Sequence, residues 1–151
     1  MSTSTTPHLT DEGRQWVLQT YKDLHAHPEL SMQEHATADR IAAELTGLGV
    51  DSFRCGGTGV VAVVRNGEGP VVAFRADSDG LPIAEDTGLP YASHATGTMP
   101  DGTQVPVMHG CGHDVHVSSA LGAVRVLTEH LDAWSGTVVF IAQPAEETIG
   151  G

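Results

Sequence analysis

Met108-His109-Gly110-Cys111-Gly112-His113-Asp114-Val115-His116 is the stretch around which this chain is organised, and it holds one thiol, three imidazoles and one carboxylate. This mixture of soft, borderline and hard ligands suits Zn²⁺, Mn²⁺, Co²⁺ or a related ion. Glycines on both sides of Cys111 let the backbone turn sharply, so that Cys111 and His113 can reach one centre. The stretch predicts half of a metal site. A structural zinc corner and a hydrogen-bonded loop are the alternatives.

A helix is predicted directly after this stretch, because apolar side chains recur at helical spacing as far as Leu131. Its expected range is about 115–131. The metal site would then lie at a helix N-terminus, where the helix dipole and free N–H groups favour negative charge. We therefore expect the Cys111 thiol to ionise and bind metal readily. His109 and His116 stay open between support of the site, contact with a substrate and a solvated loop.

Composition limits the partners and the compartment. The chain of 151 residues fits one ordinary domain, and its net charge of −12 argues against binding nucleic acid or anionic membranes. Two cysteines far apart in sequence do not form a disulfide framework, which favours a reducing compartment. The polar N-terminal tail lacks the features of a secretory signal, and no apolar stretch is long enough to span a bilayer. We expect a cytoplasmic protein.

Two helices are predicted before the first strand. Thr10 and Asp11 can cap a helix that runs to about His25. Ser31-Met32-Gln33-Glu34 fits a capping box, which predicts a second helix to about Leu48. His25 and His27 flank the end of the first helix, and their two-residue spacing is more typical of loop hydrogen bonds than of metal binding.

The hydrophobic period then changes to that of strands. Two β-branched runs, Val60–Val64 and Val71–Phe74, are separated by the turn-forming residues 66–70, which predicts a hairpin in a buried sheet. A third buried strand is predicted over 136–142. The segment Leu81–Val107 is rich in Gly, Pro, Thr and Asp without a sustained period, so it is expected to be a long functional loop.

Carboxylates follow two of the predicted strands. Asp77 and Asp79 come after the second strand, and Glu146 and Glu147 come after the third. In α/β sheets ligands bind beyond the carboxyl ends of the strands, where these side chains would lie. A hydrolytic metal site needs one group that binds the ion and another that takes a proton from water, and the adjacent glutamates suit both tasks. The alternatives are a turn around the aspartates and a solvated pair of glutamates.

Four stretches resemble, in the same order, motifs of the M20 metallopeptidase family, specifically its amidohydrolase branch of hippurate hydrolases and IAA-amino acid hydrolases. They are residues 25–31, 75–83, 108–116 and 143–147. The resemblance covers nearly all of the chain from about Leu18 onward. It implies a three-layer α/β/α zinc-peptidase-like catalytic domain that binds divalent metal ions, two per complete site. Manganese or zinc is expected, with cobalt or nickel as alternatives. The implied reaction is hydrolysis of the amide bond of small-molecule N-acyl amino acids.

Site roles follow from the resemblance, position by position. The implied metal ligands are Cys111, His113 and Glu147. Glu146 would be the general base that takes a proton from metal-activated water, and Asp77 the carboxylate that supports the site. The family's catalytic domain continues further, with more histidine ligands and an inserted dimerisation domain. Residues 1–151 are therefore expected to be the N-terminal part of the catalytic domain, and the resemblance allows a homodimer for the full-length protein.

Two other functions remain open at this point. The chain could be a truncated, non-catalytic fragment with a partial metal site, holding three of the family's five ligands. It could also be a small metal-binding or redox module that uses Cys111. We expect residues 1–151 alone to bind metal weakly and to show no measurable hydrolysis.

Overall fold

A computed structural model describes residues 6–150, and in this range the chain forms three α-helices and six β-strands. The helices are α1 (Asp11–Ala26), α2 (His35–Gly47) and α3 (His113–Glu129). The strands are β1 (Ser52–Cys55), β2 (Gly59–Asn66), β3 (Val71–Asp77), β4 (Thr96–Thr98), β5 (Gln104–Pro106) and β6 (Gly136–Gln143). Single 3₁₀ turns follow α3 and β6, at Leu131–Ala133 and Glu146–Thr148. Most of the polar N-terminal tail, residues 1–5, lies outside the described residues.

The predicted first and third helices are confirmed. Helix α1 begins after Thr10, whose hydroxyl accepts a hydrogen bond from the backbone N–H of Gly13 at 3.1 Å. This is the N-cap contact that its sequence predicts. Helix α3 begins two residues earlier than expected, at His113, and Leu131 belongs to the 3₁₀ turn that follows it. The earlier start places His113 in the first turn of α3.

The predicted capping box of α2 is wrong. Glu34 precedes α2 but its side chain makes no capping hydrogen bond, and the Ser31 hydroxyl donates to Asp79 at 2.6 Å instead. The cap comes from Glu29, whose carboxylate accepts the N–H groups of Ala36 at 3.1 Å and Thr37 at 2.7 Å. The two polar side chains of the expected box bind partners elsewhere in the fold, which the local spacing does not reveal.

The predicted hairpin between β2 and β3 is also wrong. The strand order is β1-β2-β6-β3, so β6 lies between the two predicted partners. Val138 of β6 pairs with Val64 on one side, antiparallel, and with Val72 on the other, parallel. Alternate residues of β6 are buried along its whole length. A central position satisfies the backbone groups on both edges of this buried strand, and α3 provides the crossover that a parallel β3–β6 pair requires.

The expectation of a long loop between residues 81 and 107 needs one amendment. Strands β4 and β5 pair antiparallel within it, with Gly97 opposite Val105. Both strands are only three residues long and largely exposed, so no hydrophobic period marks them. The short strand β1, which pairs with β2, was likewise not predicted.

The α/β fold class is confirmed, and the core lies between one face of the four-stranded sheet and the helices. The buried cluster joins apolar side chains of the sheet, including Val60, Ala62 and Phe140, to those of the helices, including Ile41 and Leu121. On the opposite face, the apolar residues that alternate with the buried ones are at least partly exposed. No helix among residues 6–150 is both long and apolar enough to cross a membrane.

This topology brings distant segments to one edge of the sheet. Because β3 and β6 run parallel and Asp77 pairs with Gln143, their carboxyl ends stop side by side. The connection from β3 to β6 runs through α3. The N-terminus of this helix lies near the same edge of the sheet, and His113 is its first residue. Three segments that are far apart in the sequence therefore meet there.

Candidate metal centre

His113 lies at the middle of the carboxylates that follow β3 and β6. Its Nε2 atom is 3.6 Å from Asp77 Oδ2, 3.6 Å from Glu146 Oε2 and 3.7 Å from Glu147 Oε1. The imidazole is buried, with 4% of its side chain exposed. The preceding Gly112 has a φ of 77°, a conformation that glycine adopts at low cost and that turns the chain into α3.

The spacing of these atoms fits a shared cation. Distances of 3.6–3.7 Å are longer than hydrogen bonds. Two ligands that each lie about 2.0–2.2 Å from one tetrahedral ion are separated by about 3.3–3.6 Å. Two sets of side chains offer ligand atoms within 4.8 Å of one another: Asp77 with His113 and His116, and His113 with Glu146 and Glu147.

An unpartnered oxygen supports the same conclusion. Glu147 Oε1 is buried and has no hydrogen-bond partner among the described residues. A buried carboxylate oxygen without a partner is costly, and a cation bound at this position would remove the cost. The donor set of imidazole and carboxylate therefore fits a divalent metal of the zinc or manganese type.

Asp79 holds the two glutamates and the histidine in place. Its buried carboxylate accepts the backbone N–H groups of Glu146 at 3.2 Å and Glu147 at 3.1 Å. It also accepts the Ser31 hydroxyl at 2.6 Å and lies 3.2 Å from His113 Nδ1. The Asp79 backbone carbonyl contacts the same nitrogen at 2.9 Å, which leaves Nε2 of His113 directed toward the other carboxylates.

Glu34 fixes the backbone from which the two glutamates project, a role that the sequence did not reveal. Its fully buried carboxylate accepts the N–H of Ala145 at 2.8 Å and the hydroxyl of Thr58 at 2.5 Å. Ala145 has a φ of 54°, so the chain turns there immediately before Glu146. The only signal for this role in the sequence was an acidic residue next to a helix start. The backbone partner of Glu34, Ala145, lies 111 residues further along the chain.

The charges at the centre reinforce one another. Burial alone would lower the pKa of His113, but the hydrogen bond to Asp79 and the charge of Asp77 raise it to about 8. Burial alone would raise the pKa of Asp79, yet hydrogen bonds from His113, Ser31 and the Glu147 backbone lower it to about 2. The carboxylates of Asp77, Asp79, Glu146 and Glu147 around His113 make the centre an anionic pocket, which attracts cations.

Cys111 lies beside this cluster rather than within it. Its side chain is exposed, and it belongs to neither of the two sets of closely spaced ligand atoms. The expectation that the thiol ionises readily is wrong for the chain without metal. The adjacent carboxylate of Glu147 raises the pKa of Cys111, and the charges of Glu146 and Asp79 act in the same direction.

His116 joins the site through Asp77. One turn into α3, its Nδ1 atom hydrogen-bonds to Asp77 Oδ1, and its ring stacks on that of His113 with centroids 5.7 Å apart. His116 thus lies at the site, where its imidazole contacts Asp77 and His113. Arg75 approaches Asp77 from the other side, at 3.2 Å from Oδ2.

His25 does not reach the centre but belongs to a separate buried network. Its Nδ1 atom is 2.6 Å from Asp114 Oδ2 and its Nε2 atom is 3.0 Å from Glu85 Oε1. Burial lowers the pKa of His25, but the hydrogen bonds to the two carboxylates outweigh burial and raise it. His27 is exposed and hydrogen-bonds to the Asp23 carbonyl at 2.8 Å, as its loop position predicts. His109 is buried nearby, and neither ring nitrogen has a partner among the described residues.

Comparisons with known proteins agree with this arrangement. An N-acetylcysteine deacetylase of Bacillus subtilis is 43% identical over 136 residues, which cover 86% of this chain and 33% of that protein. An IAA-amino acid hydrolase of Arabidopsis thaliana, ILR1-like 2, is 39% identical over 137 residues, which cover 90% of this chain and 29% of that protein. The chain thus spans about a third of the length of the curated relatives it matches.

A solved structure gives the same result for the fold. A Bacillus subtilis protein described as a dinuclear metal binding peptidase from the M20 family superposes with a TM-score of 0.80 and 38% sequence identity. The match covers 91% of this chain and 37% of that chain. Residues 73–151, more than half of the sequence, match the profile of peptidase family M20/M25/M40. The resemblance identified from the motifs is therefore confirmed, and the chain belongs to peptidase family M20/M25/M40.

Proposed function

We propose that these residues form part of a metal-dependent hydrolase that cleaves the amide bond of N-acyl amino acids, hippurate-like compounds among them. The observation that carries the proposal is the cluster of His113, Glu146 and Glu147, in which a buried Glu147 oxygen has no partner among the described residues. The names of two relatives, a deacetylase and an amino acid hydrolase, support the choice of substrate. The chain would be one part of the catalytic domain of a cytoplasmic enzyme, for which the family resemblance allows a homodimer.

Each site residue has a distinct task in this proposal. His113, Glu147 and Cys111 would bind metal, with two ions in the complete site, and Asp77 would orient the imidazoles of His113 and His116. A bound divalent cation supplies a Lewis acid that polarises the scissile carbonyl and lowers the pKa of a water molecule. Cys111 would join the ligands after losing its proton, which the neighbouring carboxylates oppose in the chain without metal.

Glu146 is the residue best suited to act as general base. Its side chain is 42% exposed whereas that of Glu147 is 19% exposed, so Glu146 is more accessible to water and substrate. Its carboxylate would take a proton from the attacking water and pass that proton to the leaving amine. Asp79 would keep this carboxylate in position through its hydrogen bond to the Glu146 backbone.

Metal binding by the chain tests the ligand assignment. Calorimetric titration with Zn²⁺ or Mn²⁺ is expected to show binding that His113→Ala and Glu147→Gln each weaken by roughly tenfold or more. Cys111→Ala is expected to reduce affinity as well. The matched control is Glu68→Gln, an exposed glutamate in the segment between β2 and β3. Unchanged affinity in the site variants would refute the ligand assignment.

Hydrolysis tests the role of Glu146. Because the chain spans about a third of the length of its relatives, the assay uses a chimera in which the aligned residues of this chain replace the matching part of the Bacillus subtilis deacetylase. Glu146→Gln is expected to reduce turnover of an N-acyl amino acid by roughly 10²-fold or more while metal content stays unchanged. If this variant retained the turnover of the unmodified chimera, Glu146 would not be the base.

A further inference from the structure

The first turn of α3 is held by the side chain of Asp114 rather than by a cap residue. Helix α3 begins after Gly112, which has no side chain that could accept a free N–H group of this turn. The Asp114 carboxylate accepts the N–H of Val115 through Oδ1 at 2.8 Å. The turn that carries His113 therefore depends on where the Asp114 side chain is fixed.

Asp114 depends on His25 for its position. The Asp114 side chain is buried, and a buried carboxylate is stable only with hydrogen-bond partners. Its second oxygen, Oδ2, lies 2.6 Å from Nδ1 of His25, which is 89 residues away in the sequence. Apart from the N–H of Val115, His25 is the hydrogen-bond partner that the described residues provide for this carboxylate.

The other ring nitrogen of His25 binds a carboxylate that has further partners. Nε2 lies 3.0 Å from Glu85 Oε1, and Glu85 also accepts the hydroxyl of Thr87 and the N–H of Ser93. Because carboxylates only accept, both ring nitrogens of His25 donate, and the imidazole is fixed at both ends. Loss of the contact with His25 would leave Glu85 with two partners and Asp114 with one.

His113 and Asp114 hold the start of α3 from two directions. Consecutive side chains of an α-helix point about 100° apart around its axis. His113 is directed toward the Asp79 carbonyl, which its Nδ1 contacts at 2.9 Å, and Asp114 is directed toward His25. A helix end held on two sides resists rotation about its axis. Such rotation would move Nε2 of His113 away from the other carboxylates of the centre.

We infer that His25 is a positioning residue for the candidate metal centre, which acts through Asp114 to fix the first turn of α3 and the imidazole of His113. The inference rests on the proposed function, because it assumes that His113 binds metal. The contact with Glu85 orients the ring of His25, whereas the contact with Asp114 transmits its position to the centre. Removal of the contact with Asp114 is therefore expected to weaken metal binding more than removal of the contact with Glu85.

Two substitutions of His25 remove one contact each. The amide nitrogen of asparagine lies nearly where Nδ1 of histidine lies, and that of glutamine nearly where Nε2 lies. His25→Asn therefore retains a donor to Asp114, and His25→Gln retains a donor to Glu85. We expect His25→Gln to weaken Zn²⁺ binding roughly tenfold, and His25→Asn to retain the affinity of the unmodified chain within about threefold. Competition with a chromophoric chelator measures both affinities.

The sizes of the two new side chains separate positioning from a general loss of stability. Asparagine is smaller than glutamine and leaves the larger cavity, so a loss of packing alone would harm His25→Asn more. Urea unfolding measures the stability of both variants. Equal zinc affinities of the two variants, or a greater loss for His25→Asn, would overturn the inference.

A second pair of variants decides the question if His25→Gln does not fold. Asp114→Asn keeps the shape of the side chain but removes the charge that binds His25, and it is expected to weaken Zn²⁺ binding roughly tenfold. Glu85→Gln is the matched control at the other end of the imidazole and should leave the zinc affinity unchanged. Equal affinities of these two variants would contradict the inference.

The metal-free chain separates this inference from the proposed function. The NMR signals of the His113 ring should shift in His25→Gln and stay in place in His25→Asn. His130, whose Nδ1 contacts the Val126 carbonyl at 2.9 Å at the other end of α3, is the internal control. A shift of the His113 signals in both variants, or in neither, would overturn the inference. A chain that binds no zinc but shows the expected shift would refute the proposed function and leave the positioning of His113 by His25 standing.

Discussion

At the scale of single residues, the carboxylate of Asp79 contacts several of the groups that form the site. Asp79 is 1% exposed and accepts hydrogen bonds from a serine hydroxyl and two backbone N–H groups, while its carboxylate also faces His113. A buried carboxylate is stable only with such a complete set of partners. The turn that presents Glu146 and Glu147 therefore depends on Asp79, together with Glu34, which binds the backbone of Ala145.

We expect Asp79→Asn to lower the free energy of unfolding by about 2–4 kcal/mol, because an amide removes the charge and places donors next to the N–H groups of Glu146 and Glu147. Urea unfolding of the metal-free chain measures the effect. Asp51→Asn, at an exposed position, is the matched control and should change stability by less than about 0.5 kcal/mol. A loss for Asp79→Asn no greater than that of the control would contradict this account.

Two glycines, Gly136 and Gly47, allow a second prediction about single residues. Gly136 starts β6 with a φ of 120°, and a Cβ there would lie 2.4 Å from the Pro70 carbonyl oxygen. Gly47 ends α2, and a Cβ there would have no neighbouring atom within 4 Å. Gly136→Ala is expected to destabilise the chain by roughly 2–3 kcal/mol, whereas Gly47→Ala should be neutral or stabilising by up to about 1 kcal/mol.

Thermal unfolding of both alanine variants tests these two stability predictions. A loss of stability is expected only at Gly136, because the contact there is with backbone and cannot relax by rotation of a side chain. Equal midpoints for the two variants would show that the start of β6 is less constrained than the structure indicates.

At the scale of elements, α2 is capped by a residue that lies well before its first turn. The Glu29 carboxylate accepts two backbone N–H groups and the Thr37 hydroxyl of the first turn, the latter at 2.8 Å. Acidic side chains stabilise helix N-termini through these bonds and through the helix dipole. Glu29 therefore stabilises α2 and fixes the segment 29–34, which also carries Ser31 and Glu34.

We expect Glu29→Ala to destabilise the chain by about 1–2 kcal/mol, since three donors of α2 lose their acceptor. Urea unfolding measures the loss, and Glu68→Ala at an exposed turn is the control. Glu29→Gln should retain part of the stability because its amide oxygen can still accept. If Glu29→Ala matched the control, the cap would contribute nothing to stability.

At the scale of the whole molecule, the buried network of Glu85, His25 and Asp114 joins the long loop, α1 and α3. The Glu85 side chain is fully buried and also accepts the N–H of Ser93 at 2.5 Å. Burial alone would raise the pKa of Glu85, but hydrogen bonds from Thr87, Ser93 and His25 lower it to about 2. The network therefore makes stability depend on pH.

The direction of each pKa shift decides whether stability rises or falls with pH. Glu85 has a lower pKa in the folded chain than its usual 4.5, so its stabilisation is complete above that value and is lost as pH falls toward about 2. His25 has a pKa raised above 6.5, so its stabilisation is complete below 6.5 and is lost as pH rises through the raised value. Together they stabilise the fold most between these limits.

Urea unfolding across this range measures the dependence. We expect the free energy of unfolding to fall on both sides of about pH 5.5, and Glu85→Gln to reduce the fall between pH 4.5 and about 2. The other carboxylates titrate in both proteins, so the difference between them isolates Glu85. Parallel pH profiles for the variant and the unmodified chain would rule out this role of Glu85.

Much of the fold was predictable because its signals are local. The period of apolar residues predicts α1 and α3, and β-branched runs predict β2, β3 and β6. The four motifs predicted the family and named the acidic and histidine residues that converge at the edge of the sheet. Short, exposed strands such as β4 and β5 carry no such period and were not found.

The sequence by itself therefore determined the three helices, the strands β2, β3 and β6, the family and the candidate ligands, since each depends on residue types at short spacing. Only the tertiary structure decided the strand order, the cap of α2 and the partners of Asp79 and Glu34. These depend on pairs far apart in the chain, such as Glu34 with Ala145 and Asp79 with Glu147. Each polar group could hydrogen-bond to many groups near it in the sequence. The packed core decides which groups are brought together and buried, and therefore which hydrogen bond forms.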